Sequence, residues 1–307
     1  MKTKNEYRRN HFIPEGYLKN FTDENGKIYV LDKQAKYRSS AIRHVSPKQI
    51  CYEWDRYVMK FDADTYKGLE YGVYRHFDQK HSKTLKLLQD PNFDWINCPS
   101  DTIENLEVLI PMLYWRSPVS DKEFDLKITE SKRIEDFGVV ATVEGQNEPV
   151  IDPDFHKKFL SDENIHKALR PIMAFASFGK SHPVHDQLEW RVSERVAKGS
   201  YLASDNPILF YDKPKDYGDF RGEVILPIGN NRTLVRINEN NSLDSHHVFF
   251  QDMLIFHQAQ RYVLCSDKWY LDEVRKGYAN FLKTQYKNQL RSLVFDVYHK
   301  NHKNHDA

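Results

Sequence analysis

Near its start the chain reads His11-Phe12-Ile13-Pro14-Glu15-Gly16-Tyr17-Leu18-Lys19-Asn20-Phe21. Proline is tolerated in the first turn of a helix, because the N–H group that it lacks has no helical partner there. Pro14 is therefore predicted to open a short helix, since the apolar residues after it recur at helical spacing. This places His11 just outside the helix N-terminus, where its imidazole could act as a ligand, a base or a cap.

Around this stretch, hydrophobic periodicity predicts strands towards both ends of the chain and helices in its middle. The predicted fold class is α+β, a single large domain with a helical middle and an antiparallel β-sheet. The alternation on either side of Gly229-Asn230-Asn231 predicts a hairpin, and Pro111 is expected to kink or restart the most apolar helix. Strands are expected at residues 27–32, 57–61, 188–196, 201–204, 223–228, 233–237 and 261–265, and helices at residues 65–88, 105–116, 153–160, 164–178, 244–260 and 272–290.

The domain prediction is one unit over residues 1–307. A division near residue 180 is the alternative, with a mostly helical part at residues 1–180 and a β-rich part with C-terminal helices at residues 181–298. A chain of this length can bury a substantial core in either arrangement.

The composition indicates a soluble cytoplasmic protein. The 45 basic and 44 acidic residues nearly balance, so the global charge gives no reason to expect a nucleic-acid partner. The 3 cysteines are isolated and odd in number, which excludes a disulfide framework and a cysteine-based zinc site and fits a reducing compartment. The charged N-terminus lacks the apolar run of a signal peptide, and no segment approaches the roughly 18 apolar residues of a spanning helix, so no membrane partner is expected.

Basic and aromatic residues nevertheless interleave at both ends of the chain. This composition suits a face that binds the backbone of RNA or DNA, and a solvated amphipathic helix would have the same composition. RNA or DNA is therefore a candidate partner, and a solvated amphipathic helix is the favoured alternative. The residues concerned are Lys2, Lys4, Arg8 and Arg9 at the start, and Lys276, Tyr278, Lys283, Tyr286, Lys287 and Arg291 near the end.

The segment Ser204-Asp205-Asn206-Pro207 places a carboxylate where a predicted strand ends in a turn. Functional carboxylates often lie at strand ends, because the strand fixes the backbone while the loop leaves the side chain open. The alternative is an Asx-turn, in which Asp205 or Asn206 caps its own backbone.

Arg116 ends the most apolar of the predicted helices and is followed by Ser117-Pro118. A cation in apolar surroundings needs a partner, because an unpaired buried charge is expensive. A planar guanidinium suits a phosphate or a carboxylate equally well. Phosphate binding and an internal bridge, to Asp205 or Glu70 for example, are therefore both open.

The opening pattern His11-x-x-Pro14-x-x-Tyr17-Leu18-x-x-Phe21 resembles the signature of the bacterial family named domain of unknown function 4238. Leu69-Glu70, Arg116-Ser117-Pro118 and Ser204-Asp205-Asn206-Pro207 are similar to its later blocks, and the resemblance runs in order from residue 11 to about residue 265. The last block departs from the pattern, because Gln251-Asp252 stands where an Asn is expected. The resemblance implies a full-length soluble bacterial protein of about this size and no established reaction.

His11, Glu70, Arg116 and Asp205 are the predicted catalytic residues, because each is a polar residue embedded in apolar sequence. The carboxylates and water would hold Mg²⁺ or Mn²⁺, His11 would be a ligand or the base, and Arg116 would neutralise a scissile phosphate. At least three of the four are expected to share one pocket, with Arg116 close to a carboxylate and His11 at the rim. The predicted metal ligands are Asp205, Glu70 and His11, and the predicted binding residues are Tyr17, Lys19 and Asn206.

This set of residues predicts a metal-dependent nuclease or phosphodiesterase, with a role in bacterial defence or as a toxin. No compact nuclease motif accompanies it. The alternative is a non-catalytic regulatory module that binds a nucleotide, a nucleic acid or a protein, with Arg116 as the anchor and with His11 and Asp205 as a structural cap and turn. Group transfer with a nucleotide cofactor such as NAD ranks last, because no residue pattern indicates it.

Overall fold

The computed structural model describes residues 9–36, 42–61, 64–66, 69–137, 140, 142–143, 145, 147–176, 189–195, 200–214, 220–237 and 245–299 of the protein. Its strands are β1 (Arg9–His11), β2 (Ile28–Asp32), β3 (Ile42–Val45), β4 (Tyr52–Trp54), β5 (Met59–Phe61), β6 (Asp64–Tyr66), β7 (Glu189–Glu194), β8 (Ala203–Ser204), β9 (Leu209–Phe210), β10 (Val224–Pro227), β11 (Arg232–Ile237) and β12 (Tyr262–Cys265). Its α-helices are α1 (Glu15–Leu18), α2 (Arg75–Leu88), α3 (Thr102–Arg116), α4 (Pro118–Glu130), α5 (Pro153–Ser161), α6 (Glu163–Ala176), α7 (Ser245–Gln258), α8 (Lys268–Phe281) and α9 (Leu290–His299). The fold class is α+β with a helical middle, as the sequence predicts.

One four-stranded sheet joins strands from distant parts of the chain in the order β3-β2-β12-β8. All of its pairs are antiparallel, and Val30 of β2 lies opposite Leu264 of β12. Val30, Leu31, Val263 and Leu264 are buried, so this sheet contributes an apolar layer to the core. The antiparallel sheet predicted from the sequence is confirmed.

The second four-stranded sheet, in the order β7-β11-β10-β9, contains the predicted hairpin. Strands β10 and β11 pair antiparallel on either side of the turn at residues 228–231. A Cβ atom on Gly229 in that turn would come within 3.0 Å of the Gln89 side-chain oxygen and 3.3 Å of the Asn20 carbonyl oxygen. The turn therefore needs a glycine in order to pack against the end of helix α2.

Helix α1 begins directly after Pro14, as predicted, and the Leu18 N–H group donates to the Pro14 carbonyl oxygen at 3.1 Å. A Cβ atom on Gly16 would lie 3.1 Å from the Ser82 side chain, so glycine allows α1 to pack closely against α2. The Tyr17 hydroxyl donates to the Pro227 carbonyl oxygen at 2.7 Å. The opening stretch of the sequence is therefore held between α2 and the second sheet.

Helix α3 continues through Pro111, where the sequence predicts a kink or a restart. A proline inside a helix removes one backbone hydrogen bond and costs about 3 kcal/mol. Residues 109–113 are all buried, and the burial of four large apolar side chains outweighs that cost.

Helix α4 is not predicted by the sequence pattern, although its start carries a helix signal. The Ser117 hydroxyl oxygen accepts a hydrogen bond from the Val119 N–H group at 3.4 Å, and Pro118 occupies the first helical position. Ser120 and Phe124 are the buried residues of this helix, so its apolar face is narrow. Periodicity gives little signal for a helix of this kind.

The prediction of one long helix over residues 272–290 is wrong. Helix α8 starts earlier, because the Asp267 carboxylate caps it by accepting from the Trp269 N–H group at 2.8 Å and the Tyr270 N–H group at 3.2 Å. The helix ends at Phe281, and α9 begins at Leu290. The capping residue Asp267 marks the start of this helix, and hydrophobic periodicity does not contain that signal.

The core contains side chains from both sides of residue 180. One cluster of buried apolar residues includes members of α3 before that point and of β10, β12 and α7 after it. The unit over residues 1–307 and its division near residue 180 both stay predictions. In the part of the chain that the structure describes, no helix is long and apolar enough to cross a membrane.

Candidate nucleic-acid interface

Arg116, one of the predicted catalytic residues, is 1% exposed at the end of α3. Its guanidinium donates from Nη1 to Asp78 Oδ1 at 2.5 Å, from Nη2 to the His11 carbonyl oxygen at 2.7 Å and from Nε to the Tyr57 hydroxyl at 3.2 Å. The guanidinium carbon lies 4.5 Å from the centre of the Tyr74 ring. Of the two alternatives for Arg116, the structure shows the internal bridge, and the carboxylate is that of Asp78.

Asp205 is 3% exposed, and both of its carboxylate oxygens accept hydrogen bonds from the main chain. Oδ1 accepts from the Gln260 N–H group at 2.9 Å, and Oδ2 accepts from Arg261 at 2.7 Å and from Tyr262 at 3.0 Å. Burial raises the pKa of Asp205, and the three N–H groups offset part of that rise. The carboxylate therefore holds the chain that leads into β12.

Two consecutive side chains, those of Arg116 and Ser117, bind the main-chain carbonyl groups of His11 and Asp205. Arg116 binds the carbonyl oxygen of His11, and the Ser117 hydroxyl donates to the carbonyl oxygen of Asp205 at 2.6 Å. The main chain of Glu70 belongs to a π-helical segment, Leu69–Tyr74, and its side chain lies outside the described residues. The roles of these four residues in catalysis stay predictions.

The predicted binding residues have different surroundings. Asn206 is fixed to the end of α7, because Gln258 Nε2 donates to the Asn206 carbonyl oxygen at 2.6 Å. The Tyr17 hydroxyl is buried against the second sheet, whereas Lys19 is exposed and pairs with Glu15 at 2.8 Å. Within the described ranges, no three His, Cys, Asp or Glu side chains are grouped so that they could hold a metal ion.

A two-stranded ribbon formed by β1 and β4 presents aromatic and basic side chains on one face. Arg9 lies opposite Trp54 and His11 lies opposite Tyr52 in this antiparallel pair. The Arg9 guanidinium carbon is 5.0 Å from the Tyr52 ring centre and 5.3 Å from that of Trp54, and the His11 and Tyr52 ring centres are 5.8 Å apart. Because alternate residues of a strand share a face, we call Arg9, His11, Tyr52 and Trp54 the ribbon face.

Unusual backbone conformations flank the strand that carries the two aromatic rings. Cys51 has a φ of 53° and Asp55 a φ of 55°, and no other non-glycine residue in the described part of the chain has a positive φ. The left-handed conformation costs an L-residue roughly 1–2 kcal/mol. Such backbone is retained where the surrounding structure requires it, which happens most often at binding and catalytic sites.

An open cavity of about 370 Å³ adjoins the ribbon face, and we call it the groove. Burial raises the pKa of the Tyr262 hydroxyl in its wall, the charge of Arg261 lowers it, those of Asp32 and Cys51 raise it, and that of Arg43 lowers it. The Arg261 side chain is 49% exposed and its guanidinium carbon lies 4.8 Å from the Tyr262 ring centre. The groove is lined by Asp32, Arg43, Gln49, Ile50, Cys51, Tyr52, Glu53, Trp54, Arg261 and Tyr262.

The acidic residues of the groove have basic partners, whereas two arginines of the ribbon face and the groove have no acidic partner in the described structure. Asp32 accepts from Arg261 at 3.1 Å, and Glu53 accepts from Arg56 at 2.7 Å. Arg9 and Arg43 are exposed, and they make no hydrogen bond or ion pair within the described ranges. The ribbon face and the groove therefore carry a local positive charge that the overall composition does not reveal.

The imidazole of His11 is partly buried on the ribbon face. Its Nε2 atom is enclosed and has no hydrogen-bond partner in the described structure. Burial, together with the charge of Arg116, lowers the pKa of His11 despite the opposing charges of Glu15 and Asp78, so the imidazole is neutral near pH 7.

The sequence prediction identified Arg9 and His11 and missed the rest of this surface. Tyr52-Glu53-Trp54 alternates aromatic and acidic residues, which is a strand signal with both rings on one side. The position of Arg43 opposite Val30 in the first sheet depends on strand pairing, for which a single sequence gives no direct signal. Lys2, Lys4 and Arg8 of the basic leader lie outside the described residues.

A second histidine with an altered pKa lies on α2. His81 is 3% exposed and its Nε2 atom has no hydrogen-bond partner in the described structure. Burial, then the charges of Arg116 and Lys80, lower its pKa to about 3. The folded protein therefore keeps this imidazole neutral through the mildly acidic range.

Because of His81, the free energy of unfolding is expected to be lower at pH 5 than at pH 7.5 by roughly 2 kcal/mol. The unfolded imidazole takes up a proton below its ordinary pKa of 6.5, whereas the folded imidazole does so only near its lowered pKa of about 3. The stabilisation that His81 provides is complete above its ordinary pKa of 6.5 and is lost as the pH falls towards its lowered pKa of about 3. Urea denaturation of wild type and His81→Gln at both pH values measures the effect. Equal pH dependence in the two proteins would exclude His81 as its source.

Comparison with known proteins gives one match. The family model described as "Protein of unknown function (DUF4238)" matches residues 9–268, which is most of the chain and includes the ribbon face and the groove. No curated protein and no solved structure matches the chain.

Proposed function

The chain belongs to the DUF4238 family of proteins of unknown function, and we propose that its ribbon face and groove bind single-stranded RNA or DNA. The observation that carries the proposal is an exposed aromatic ring beside a half-buried one, next to cations that have no acidic partner in the described structure. Trp54 is 52% exposed beside Tyr52, and the guanidinium groups of Arg9 and Arg43 have no acidic partner in the described structure.

Each component suits one part of a nucleotide. Bases stack on aromatic rings, at about 1–3 kcal/mol per base, and do so without regard to sequence. Guanidinium groups bind phosphate oxygens through paired N–H donors. A groove of about 370 Å³ has the size of a site for a small ligand, such as one nucleotide unit of a longer strand.

The aromatic rings favour a single strand over a duplex. A base can stack on Tyr52 or Trp54 only when it is not already stacked within a helix. Two rings and two cations, from the ribbon face and the adjoining groove, match the alternation of bases and phosphates along a single strand.

Trp54→Ala is expected to weaken the binding of a fluorescent single-stranded oligonucleotide by about 5- to 150-fold, because it removes one stacking surface. Arg43→Ala is expected to weaken binding and to reduce the slope of log affinity against log salt by about 0.7, because it removes one phosphate contact. Fluorescence anisotropy over a salt series measures both effects.

Trp269→Ala is the matched control for this experiment, because Trp269 is 65% exposed on α8 and belongs to neither the ribbon face nor the groove lining. Its variant should bind as wild type does. If wild type fails to bind at low salt, or if Trp54→Ala and Trp269→Ala bind equally well, the proposal is wrong.

The metal-dependent nuclease with a defence or toxin role is the second candidate function, and the position of the His11 imidazole on the ribbon face favours it. Its test is the cleavage of RNA and DNA in the presence of Mg²⁺ or Mn²⁺, compared between wild type and His11→Ala. Equal products from both proteins would contradict it. The cytoplasmic location likewise stays a prediction.

A further inference from the structure

We propose that His11 is the general base of a metal-independent ribonuclease reaction, in which RNA bound at the ribbon face is cleaved by its own 2′-hydroxyl. This inference rests on the proposed binding function and goes beyond it, because it names RNA as the substrate and a specific reaction. DNA has no 2′-hydroxyl and would be bound without cleavage.

The position of His11 is the first support. Its imidazole shares the ribbon face with Tyr52 and Trp54, on which bases would stack, and its ring centre is 5.8 Å from that of Tyr52. Arg116 binds the His11 carbonyl oxygen at 2.7 Å and so fixes the main chain that carries the ring. A base must come within hydrogen-bond reach of the proton that it removes, and a residue on the proposed RNA-binding face would do so once Nε2 is exposed.

The unpartnered ring nitrogen is the second support. Nε2 has no hydrogen-bond partner in the described structure, and burial lowers the pKa of His11. In the tautomer that carries its proton on Nδ1, the neutral imidazole has an unused acceptor at Nε2, which is what general-base catalysis requires.

The reaction conserves atoms and needs no further reactant. Nε2 removes the proton of the 2′-hydroxyl, and the 2′-oxygen forms a bond to the adjacent phosphorus. The bond from phosphorus to the 5′-oxygen of the next nucleotide breaks, and that oxygen takes a proton from water. The imidazolium returns its proton to solvent, which leaves a 2′,3′-cyclic phosphate and a 5′-hydroxyl.

The reaction also requires a local movement, because Nε2 is enclosed in the structure. Binding of single-stranded RNA at the ribbon face would therefore have to expose this nitrogen.

The test incubates single-stranded RNA, DNA of the same sequence and 2′-O-methyl RNA with the full-length protein in excess EDTA. We expect cleavage of RNA alone, with cyclic phosphate ends identified by mass spectrometry. His11→Ala and His11→Gln should each slow cleavage by about 100-fold or more, because general-base catalysis contributes that much. Their circular dichroism spectra should match that of wild type, which shows that they are folded.

His76→Ala is the matched control, because His76 is an exposed histidine on α2, outside the ribbon face, and its variant should cleave as wild type does. Three results would overturn the inference while leaving the binding proposal intact: binding of 2′-O-methyl RNA without RNA cleavage, cleavage only after Mg²⁺ or Mn²⁺ is added, and equal cleavage by His11→Ala, which would indicate a contaminating ribonuclease. Loss of all binding by wild type would overturn the binding proposal itself.

Discussion

Asp252→Ala is expected to lower the free energy of unfolding by about 3–5 kcal/mol, because it leaves the charge of Arg195 buried without a partner. Asp252 is completely buried, and its Oδ2 accepts from Arg195 Nη1 at 3.0 Å and from the Tyr270 hydroxyl at 2.6 Å. Oδ1 accepts from the Leu202 N–H group at 2.9 Å. Urea denaturation at pH 7 measures the loss.

Two further variants make the result specific to this buried pair. Asp125→Ala removes an exposed carboxylate that pairs with Arg170, and it should cost less than about 1 kcal/mol. The double variant Arg195→Met/Asp252→Asn should recover most of the loss, because it removes both charges and keeps an amide oxygen that can accept from the Leu202 N–H group. A loss in Asp252→Ala no larger than in Asp125→Ala would contradict the prediction.

Asp205→Ala is expected to lower the free energy of unfolding by about 3 kcal/mol, because it leaves three part-buried main-chain N–H groups without an acceptor. Asp205→Asn should cost less, since the amide oxygen still accepts some of these bonds. A residue kept for catalysis behaves differently, and its removal is often neutral or stabilising. Thermal melts of the two variants therefore measure how far Asp205 supports the fold.

Asp212→Ala serves as the control, because Asp212 is exposed near the end of β9. Its melting temperature should stay close to that of wild type. If Asp205→Ala melts at or above the wild-type temperature, the structural role derived from its hydrogen bonds is wrong and a catalytic role gains support.

The sequence predicted those features of the fold that depend on local pattern. The alternation around Gly229 gave the hairpin, and Pro14 gave the start of α1, because both signals lie within a few residues of the structure they specify. Helix α4 gives no such signal, because few of its residues are buried. The sequence signal for this helix is its capping residue Ser117, which marks where the helix begins.

The candidate site could be predicted from the sequence only in part. The apolar flanks of Arg116 and Asp205 correctly indicated burial, and burial demands partners. The sequence cannot say whether those partners are a ligand or the protein itself, and here they include the His11 carbonyl oxygen and the N–H groups of residues 260–262. The ribbon face could not be predicted from the sequence either, because it depends on the strand register that places Arg9 opposite Trp54.

The pairing of β2 with β12 constrains how the protein can be made. Strand β2 is among the first segments to leave the ribosome, yet one of its edges stays open until Tyr262–Cys265 has been synthesised. Such distant pairing slows folding, and an open strand edge can pair with other chains in the meantime. We therefore expect the nascent chain to depend on chaperones for most of its synthesis, and chains that terminate before β12 to aggregate rather than accumulate as a folded fragment.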